Sequence, residues 1–186
     1  VKYMNRNNIF IKILFITSFA MILAIVSNHN QTFALTYKKG DVLTTRSTSA
    51  SGLTGHNGIY IGNGKVLDTP RVHHYPRVMS VKKWIKSYPK TKVTRPKNSS
   101  LGNKAANNAV KYFKGKKIPY KVTPNPKNIK KTYCSEIVWY SYYKAGKQYM
   151  IPEHGVWLPP SIVAPYAFVN KQDVKHNGFK FVDNKW

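Results

Sequence analysis

Acidic residues are scarce in this sequence of 186 residues. It contains 6 Asp and Glu against 31 Lys and Arg, a formal net charge of +25. Lys2, Arg6 and Lys12 are the only charged residues before position 35, so the remainder carries 28 basic and 6 acidic residues, a net +22. So basic a surface favours polyanionic partners, namely nucleic acid, anionic lipid headgroups or anionic wall polymers. The charge alone does not choose among them.

Cysteine occurs only once, at Cys134. A single cysteine excludes an internal disulfide, and together with scattered histidines it offers no metal-ligand spacing. We therefore expect neither a metal nor another cofactor. The thiol has two interpretations that the count leaves open: a small buried apolar side chain, or a reactive nucleophile.

Long apolar runs are also missing, except over residues 9–26, which follow a basic start. A polar stretch and then Thr32-Phe33-Ala34 come next, with small residues at both positions of an A-x-A-like site. This order predicts a secretory signal peptide at residues 1–34, cleaved after Ala34. The alternative is an uncleaved anchor, but the 14 residues after Lys12 fall short of the ~20 that span a bilayer. We expect residues 35–186 to form one secreted domain, associated with the cell wall or cell surface.

Hydrophobic periodicity predicts an α+β fold for that domain. Short β-branched or aromatic segments predict strands at residues 42–45, 56–62, 65–68, 91–94 and 179–182. Apolar residues at helical spacing predict helices at residues 81–88, 101–114 and 133–145. The last helix is the most apolar segment of the domain, and we expect it to be buried. Residues 155–165 contain three prolines and predict a loop.

Cys134 lies at the start of the most apolar helix, where free backbone N–H groups and the helix dipole favour an anion and lower a thiol pKa. Of six histidines, only His56 begins a predicted core strand. Asp68 follows on the return strand of the same hairpin, where the two side chains can share one face. Cysteine hydrolysis needs such a nucleophile, base and orienting group. The alternative for Asp68 is a surface position beside a turn, and for Glu136 we expect packing or an ion pair with a lysine.

The hairpin at residues 56–68 resembles the histidine hairpin of the circularly permuted NlpC-type papain-like enzymes. These include the YiiX/YebB-like hydrolases and the lecithin:retinol acyltransferase group. The Tyr-Cys-Ser-Glu start of the helix, the Pro119-Tyr120 pair and the Gly-Asp-Val opening at residues 40–42 are similar as well. The resemblance extends over residues 40–165. Bacterial members often carry an acid soon after the Pro-Tyr pair, where this chain has Lys121.

The resemblance implies a permuted papain-like fold, in which a small antiparallel sheet packs against a buried helix that carries the nucleophile. It implies Cys134 as nucleophile, His56 as base and Asp68 as the residue that orients His56. Tyr120 would donate a hydrogen bond to the oxyanion.

Three functions fit these residues. The favoured one is an exported cysteine amidase or peptidase that cleaves peptidoglycan stem peptides or similar amides, held on anionic wall polymers or a membrane surface by its charge. The second is an acyl-lipid hydrolase or acyltransferase, because the lecithin:retinol group uses the same thioester chemistry and the fold cannot separate the two. The third is a non-enzymatic cationic binder. The lysines are dispersed and form no recognition helix, so we expect no specific nucleic acid partner, and we expect a monomer.

Overall fold

The computed structural model describes residues 35–49 and 52–186. The predicted signal peptide and its cleavage site lie outside these residues and stay predictions. Over the described range the chain forms a six-stranded antiparallel sheet, a two-stranded hairpin, four α-helices and one 3-10 helix. Among these helices, none combines the length and the apolarity that crossing a membrane requires.

Four of the eight strands precede the first helix, and the other four lie between or after the later helices. The strands are β1 (Val42–Thr45), β2 (His56–Gly62), β3 (Lys65–Asp68), β4 (Arg77–Ser80), β5 (Thr91–Pro96), β6 (Ile151–Glu153), β7 (Val156–Leu158) and β8 (Phe179–Asp183). The large sheet has the order β4-β3-β2-β1-β5-β8, with every neighbouring pair antiparallel.

Five predicted strands are confirmed, with β5 and β8 slightly longer than expected. The prediction of a continuous loop over residues 155–165 is wrong, because β7 lies within it and pairs with β6. The connection is a tight turn in which His154 and Gly155 both have positive φ, 49° and 81°. Such a turn matches the twist of a two-stranded ribbon. Strand β4 was also not predicted.

The helices are α1 (Val81–Ser87), α2 (Ser99–Phe113), α3 (Cys134–Lys144), a 3-10 helix (Pro165–Val169) and α4 (Lys171–His176). The first three match the predicted helices, whereas the 3-10 helix and α4 were not predicted. Helix α2 begins two residues before the predicted start because the Asn98 side chain accepts a hydrogen bond from the Leu101 N–H at 3.2 Å. This is the usual N-terminal cap, which satisfies one of the free amides of the first turn.

The sheet separates two apolar clusters, because successive side chains of a strand point to opposite faces. On one face, Val42, Ile59 and Leu67 pack against α2 and α3. On the other face, the smaller cluster is covered by Trp84 of α1. Every residue of α3 from Cys134 to Tyr142 is buried. The predicted α+β class, with an antiparallel sheet against a buried helix, is therefore confirmed.

Candidate active site

Cys134 is the first residue of α3, and its side chain is almost buried, with 5% exposure. The preceding residue, Tyr133, has extended backbone angles and provides no side-chain cap to the helix. Instead, the Tyr133 hydroxyl accepts a hydrogen bond from the Val163 N–H at 2.9 Å. The positive end of the helix dipole therefore lies next to the sulfur, where it stabilises a thiolate.

His56 and Asp68 are joined by a buried hydrogen bond, in which His56 Nε2 lies 2.8 Å from Asp68 Oδ2. Arg77 contacts the same carboxylate from the other side, with Nε at 2.9 Å from Oδ1 and Nη2 at 3.2 Å from Oδ2. Asp68 has no exposed surface, and so the alternative of a surface position for it is wrong. Because Nε2 is bound to Asp68, Nδ1 is the ring nitrogen left to exchange a proton with a thiol.

The register of the hairpin produces this pair. Gly58 lies opposite Asp68, so His56 and Asp68 are diagonal neighbours on one face of the sheet. A side chain at Gly58 would overlap Trp84, because a Cβ there would lie 2.8 Å from Trp84 Cζ3. The missing side chain lets the Trp84 ring stack on His56, with ring centroids 5.3 Å apart and an interplanar angle of 19°. Tyr88 contacts the imidazole as well, at 5.2 Å between centroids.

The electrostatics favour an ion pair between Cys134 and His56. Burial would lower the pKa of His56, but hydrogen bonds and charge attraction to Asp68 and Cys134 raise it from 6.5 to about 9. Burial would raise the pKa of the Cys134 thiol, but hydrogen bonding and charge attraction to His56, with the Asn57 backbone N–H, lower it below its usual value. The lowered pKa of the thiol and the raised pKa of the imidazole both favour a thiolate–imidazolium pair, the form that an activated cysteine nucleophile takes.

Tyr120 joins the site from the segment between α2 and α3. Its strand-like bridge to Thr132 is held by two backbone hydrogen bonds of 3.0 Å, Thr132 N–H to Pro119 and Lys121 N–H to Thr132. Burial, together with the charge and hydrogen bonding of Cys134, raises the pKa of the Tyr120 hydroxyl. The hydroxyl therefore stays protonated and can donate a hydrogen bond beside the sulfur.

The structure thus brings together all four side chains that the sequence singled out: Cys134, His56, Asp68 and Tyr120. Sequence reasoning missed Arg77, Trp84 and Tyr88 as parts of the site. The signal for Arg77 was its place opposite Asp68 in β4, a strand that was not predicted.

Of the two roles expected for Glu136, packing or an ion pair with a lysine, the structure shows packing. Glu136 is fully buried in the first turn of α3, and neither carboxylate oxygen has a hydrogen-bond partner among the described residues. Burial raises the pKa of this carboxyl to about 8. It is therefore a neutral acid at physiological pH. Within residues 35–49 and 52–186, no group of three His, Cys, Asp or Glu side chains is arranged to hold a metal ion.

Fold and site together define the class of protein. It is an α+β protein in which a thiol, an imidazole and a carboxylate are linked in space in that order, the arrangement used in cysteine acyl-transfer chemistry. Residues 5–182 match the family described as lipoprotein N-acylation protein LnsA-like, and the chain belongs to that family. The family's name describes acyl transfer to lipoproteins and indicates an acyl-transferring enzyme associated with the cell envelope. The narrower assignment to the YiiX/YebB-like branch stays a prediction.

A curated relative is the uncharacterized 30.3 kDa protein of Bacillus thuringiensis, which is 26% identical over 148 residues. The alignment covers 73% of this chain and 53% of that protein, so the chain spans about half the length of the relative. No solved structure was found that matches the chain.

Proposed function

We propose that this protein is a cysteine acyltransferase of the cell envelope, which moves an acyl chain from a lipid ester through Cys134 to the amino group of a lipoprotein. The observation that carries the proposal is the chain of contacts from Cys134 to His56, Asp68 and Arg77 at the start of a buried helix. The lipoprotein as acceptor rests on the family description.

The reaction proceeds in two balanced halves. The Cys134 thiolate attacks the ester carbonyl, the carbon–oxygen bond breaks, and the His56 imidazolium gives its proton to the leaving alcohol. The acyl chain is then a thioester on Cys134. A neutral amine attacks the thioester, neutral His56 takes a proton from that amine, and the carbon–sulfur bond breaks to regenerate the thiolate.

The surrounding residues support each half. Asp68, held by Arg77, keeps the imidazole oriented and stabilises its charged form. The oxyanion of each tetrahedral intermediate would receive hydrogen bonds from the Tyr120 hydroxyl and from the backbone N–H at the start of α3.

Mass spectrometry of the intact protein tests the proposal. We expect that residues 35–186, incubated with a phospholipid bearing palmitoyl chains, gain the mass of one acyl group, and that neutral hydroxylamine removes it as expected for a thioester. Adding a synthetic lipopeptide with a free α-amino group should discharge the enzyme and acylate the peptide. Cys134→Ser is the matched variant, because any adduct it forms would be an ester that resists hydroxylamine.

Two outcomes would contradict the proposal. An acyl adduct that persists in Cys134→Ala would place the acceptor atom elsewhere. Cleavage of peptidoglycan stem peptides by the native protein, without acylation by any lipid ester, would return the favoured function to the amidase predicted from the sequence.

A further inference from the structure

A cavity lined by lysines lies away from Cys134, beside β5 and β8. Its volume is about 370 Å³, within the range of roughly 300–1,000 Å³ that is typical of small-ligand sites. We call it the lysine cavity, and its described lining residues are Lys38, Lys39, Arg95, Pro96, Lys97, Ser99, Asn103 and Lys180. None of them belongs to the acyl-transfer site, so a ligand of this cavity would have a role separate from catalysis.

The lysine cavity and the acyl-transfer site lie at opposite ends of β2. The Gly40 N–H donates to the Tyr60 carbonyl at 2.9 Å, and the Lys39 side chain covers Gly62, where a Cβ would lie 2.8 Å from Lys39 Cε. His56 begins the same strand, roughly 20 Å from Gly62 at ~3.3 Å per residue. A ligand bound in the lysine cavity would therefore leave Cys134 open to its substrates.

The positive charge of the cavity has no acidic counterpart. Its four lysines are exposed, and none of the described lining residues is acidic. The ion pairs among the described residues involve His56, Arg77 and Arg95, and none of them includes a lysine. Because like charges held together repel one another, an anion between these ammonium groups would relieve an unfavourable interaction.

A buried ion pair fixes the wall that Arg95 contributes. Asp41 has no exposed surface, and it accepts hydrogen bonds from Arg95 Nε at 2.6 Å and from Nη2 at 2.7 Å. The same Nη2 donates to the Thr36 carbonyl, and the Lys38 N–H donates to Asp41, both at 2.8 Å. These bonds hold the segment before β1 against β5, so the lysines of the two segments are brought together by the fold itself.

A close contact between two glycines adds the start of α2 to the same cavity. A Cβ on Gly40 would lie 2.4 Å from Gly102 Cα, and a Cβ on Gly102 would lie 2.6 Å from the Lys39 carbonyl oxygen. The absence of both side chains lets α2 pack directly on the segment that carries Lys39. Ser99 and Asn103 of this helix then add a hydroxyl and an amide to the wall as neutral hydrogen-bond donors.

We propose that the lysine cavity binds the phosphate groups of an anionic cell-wall polymer whose units are joined by phosphodiester bonds. Lysine binds phosphate as a point charge on a flexible stem, which suits a repeating chain without one fixed geometry. The choice of wall over membrane rests on the acyl-transfer function. With the cavity held by the wall, the opposite end of β2 can face the membrane, where a lipid ester and a lipoprotein would reach Cys134. A bilayer bound at the cavity would instead lie roughly 20 Å from His56.

Calorimetry of the protein with a synthetic hexamer of glycerol phosphate, at physiological salt, tests the site. We expect Lys97→Gln with Lys180→Gln to raise the dissociation constant about tenfold, because two charge-assisted bonds to phosphate are lost. The matched control is Lys116→Gln with Lys117→Gln, which removes two exposed charges from the segment after α2, outside the lysine cavity. It should change the dissociation constant less than about twofold. Equal weakening by the two pairs, or none by the first, would overturn the site.

Alkylation of Cys134 by iodoacetamide separates this proposal from the acyl-transfer function. We expect both pairs of substitutions to leave its rate unchanged, which also shows that the variants are folded. Hexamer binding that depends on Lys97 and Lys180, in a protein that forms no acyl-enzyme, would refute the acyl-transfer function and support phosphate binding by the cavity. Acyl-enzyme formation without hexamer binding would overturn the cavity proposal alone.

Two further phosphate probes distinguish the sources of the anion. Inorganic phosphate should compete with the hexamer weakly, because the four lysines can contact several phosphates of a polymer at once. Phosphate that binds as tightly as the hexamer would overturn the polymer assignment. So would vesicles of phosphatidylglycerol and phosphatidylcholine that bind with the same dependence on Lys97 and Lys180 while the hexamer does not bind.

Discussion

Replacing His56 with Ala should raise the pH at which Cys134 becomes a thiolate. In the native protein the rise of the His56 pKa from 6.5 to about 9 corresponds to roughly 3 kcal/mol of net stabilisation of the imidazolium, part of which comes from Cys134. Coupling between the two groups is reciprocal, so the same interaction stabilises the thiolate. Without it, burial raises the pKa of the thiol, only the weaker hydrogen bonds from the Asn57 N–H and the Ser135 hydroxyl oppose that rise, and we expect the pKa to move to about 8.5, the ordinary value, or above.

Iodoacetamide alkylation of Cys134, followed by mass spectrometry from pH 5 to 10, measures this change. At pH 6.5 a thiol of pKa ~8.5 is about 1% ionised, whereas the lowered pKa of the native thiol leaves a larger fraction of it ionised. A more basic thiolate is also the better nucleophile, which recovers about tenfold of the lost rate. We therefore expect alkylation at pH 6.5 to slow about tenfold in the variant and the midpoint of its pH profile to move above ~8.5.

The control is His154→Asn, which replaces an exposed histidine with a residue that tolerates its positive φ of 49°. It should leave the alkylation profile unchanged. A native midpoint at or above ~8.5, or one that His56→Ala does not move, would refute the ion pair.

Three further predictions concern residues around this pair. Asp68→Asn removes the charge that His56 contacts at 2.8 Å and should slow acyl-enzyme formation about 10- to 100-fold, less than His56→Ala does; an unchanged rate would make Asp68 purely structural. Glu136→Gln should flatten the pH dependence of the free energy of unfolding: the raised pKa of about 8 means that the stability from the neutral carboxyl is complete below ~4.5 and is lost as pH rises through about 8. In urea titrations from pH 5 to 9, the free energy of unfolding of the variant should rise relative to that of the native protein by up to ~1 kcal/mol per pH unit. Parallel curves of the two free energies against pH would contradict this prediction. In Gly58→Ala the new Cβ would lie 2.6 Å from Val66 and 2.8 Å from Trp84, so the substitution should cost about 1–3 kcal/mol of stability and slow the alkylation of Cys134. Adding Val66→Ala should restore part of the stability and part of the alkylation rate. An unchanged melting temperature would show that Trp84 moves aside at no cost.

The family match and the site favour the second of the three functions predicted from the sequence. The amidase interpretation relied on export, a papain-like site and positive charge, and all three serve an envelope acyltransferase equally well. What favours the acyltransferase over the amidase is the family description, which names lipoprotein N-acylation.

The sequence by itself determined the elements that depend on near neighbours in the chain. The helix beginning at Cys134 follows from a run of apolar residues at helical spacing, and the hairpin that carries His56 and Asp68 follows from two short strands joined by a glycine turn. These features are local, so periodicity and turn chemistry specify them.

Tertiary structure alone decided what surrounds those elements. Arg77 reaches Asp68 because β4 joins the edge of the sheet, and Tyr120 reaches Cys134 through a single bridge to Thr132. Glu136 packs inside the protein and pairs with no lysine among the described residues, because every residue from Cys134 to Tyr142 is buried. Burial and charge partners depend on contacts between segments distant in the chain, and these contacts shift the pKa values of His56 and Cys134.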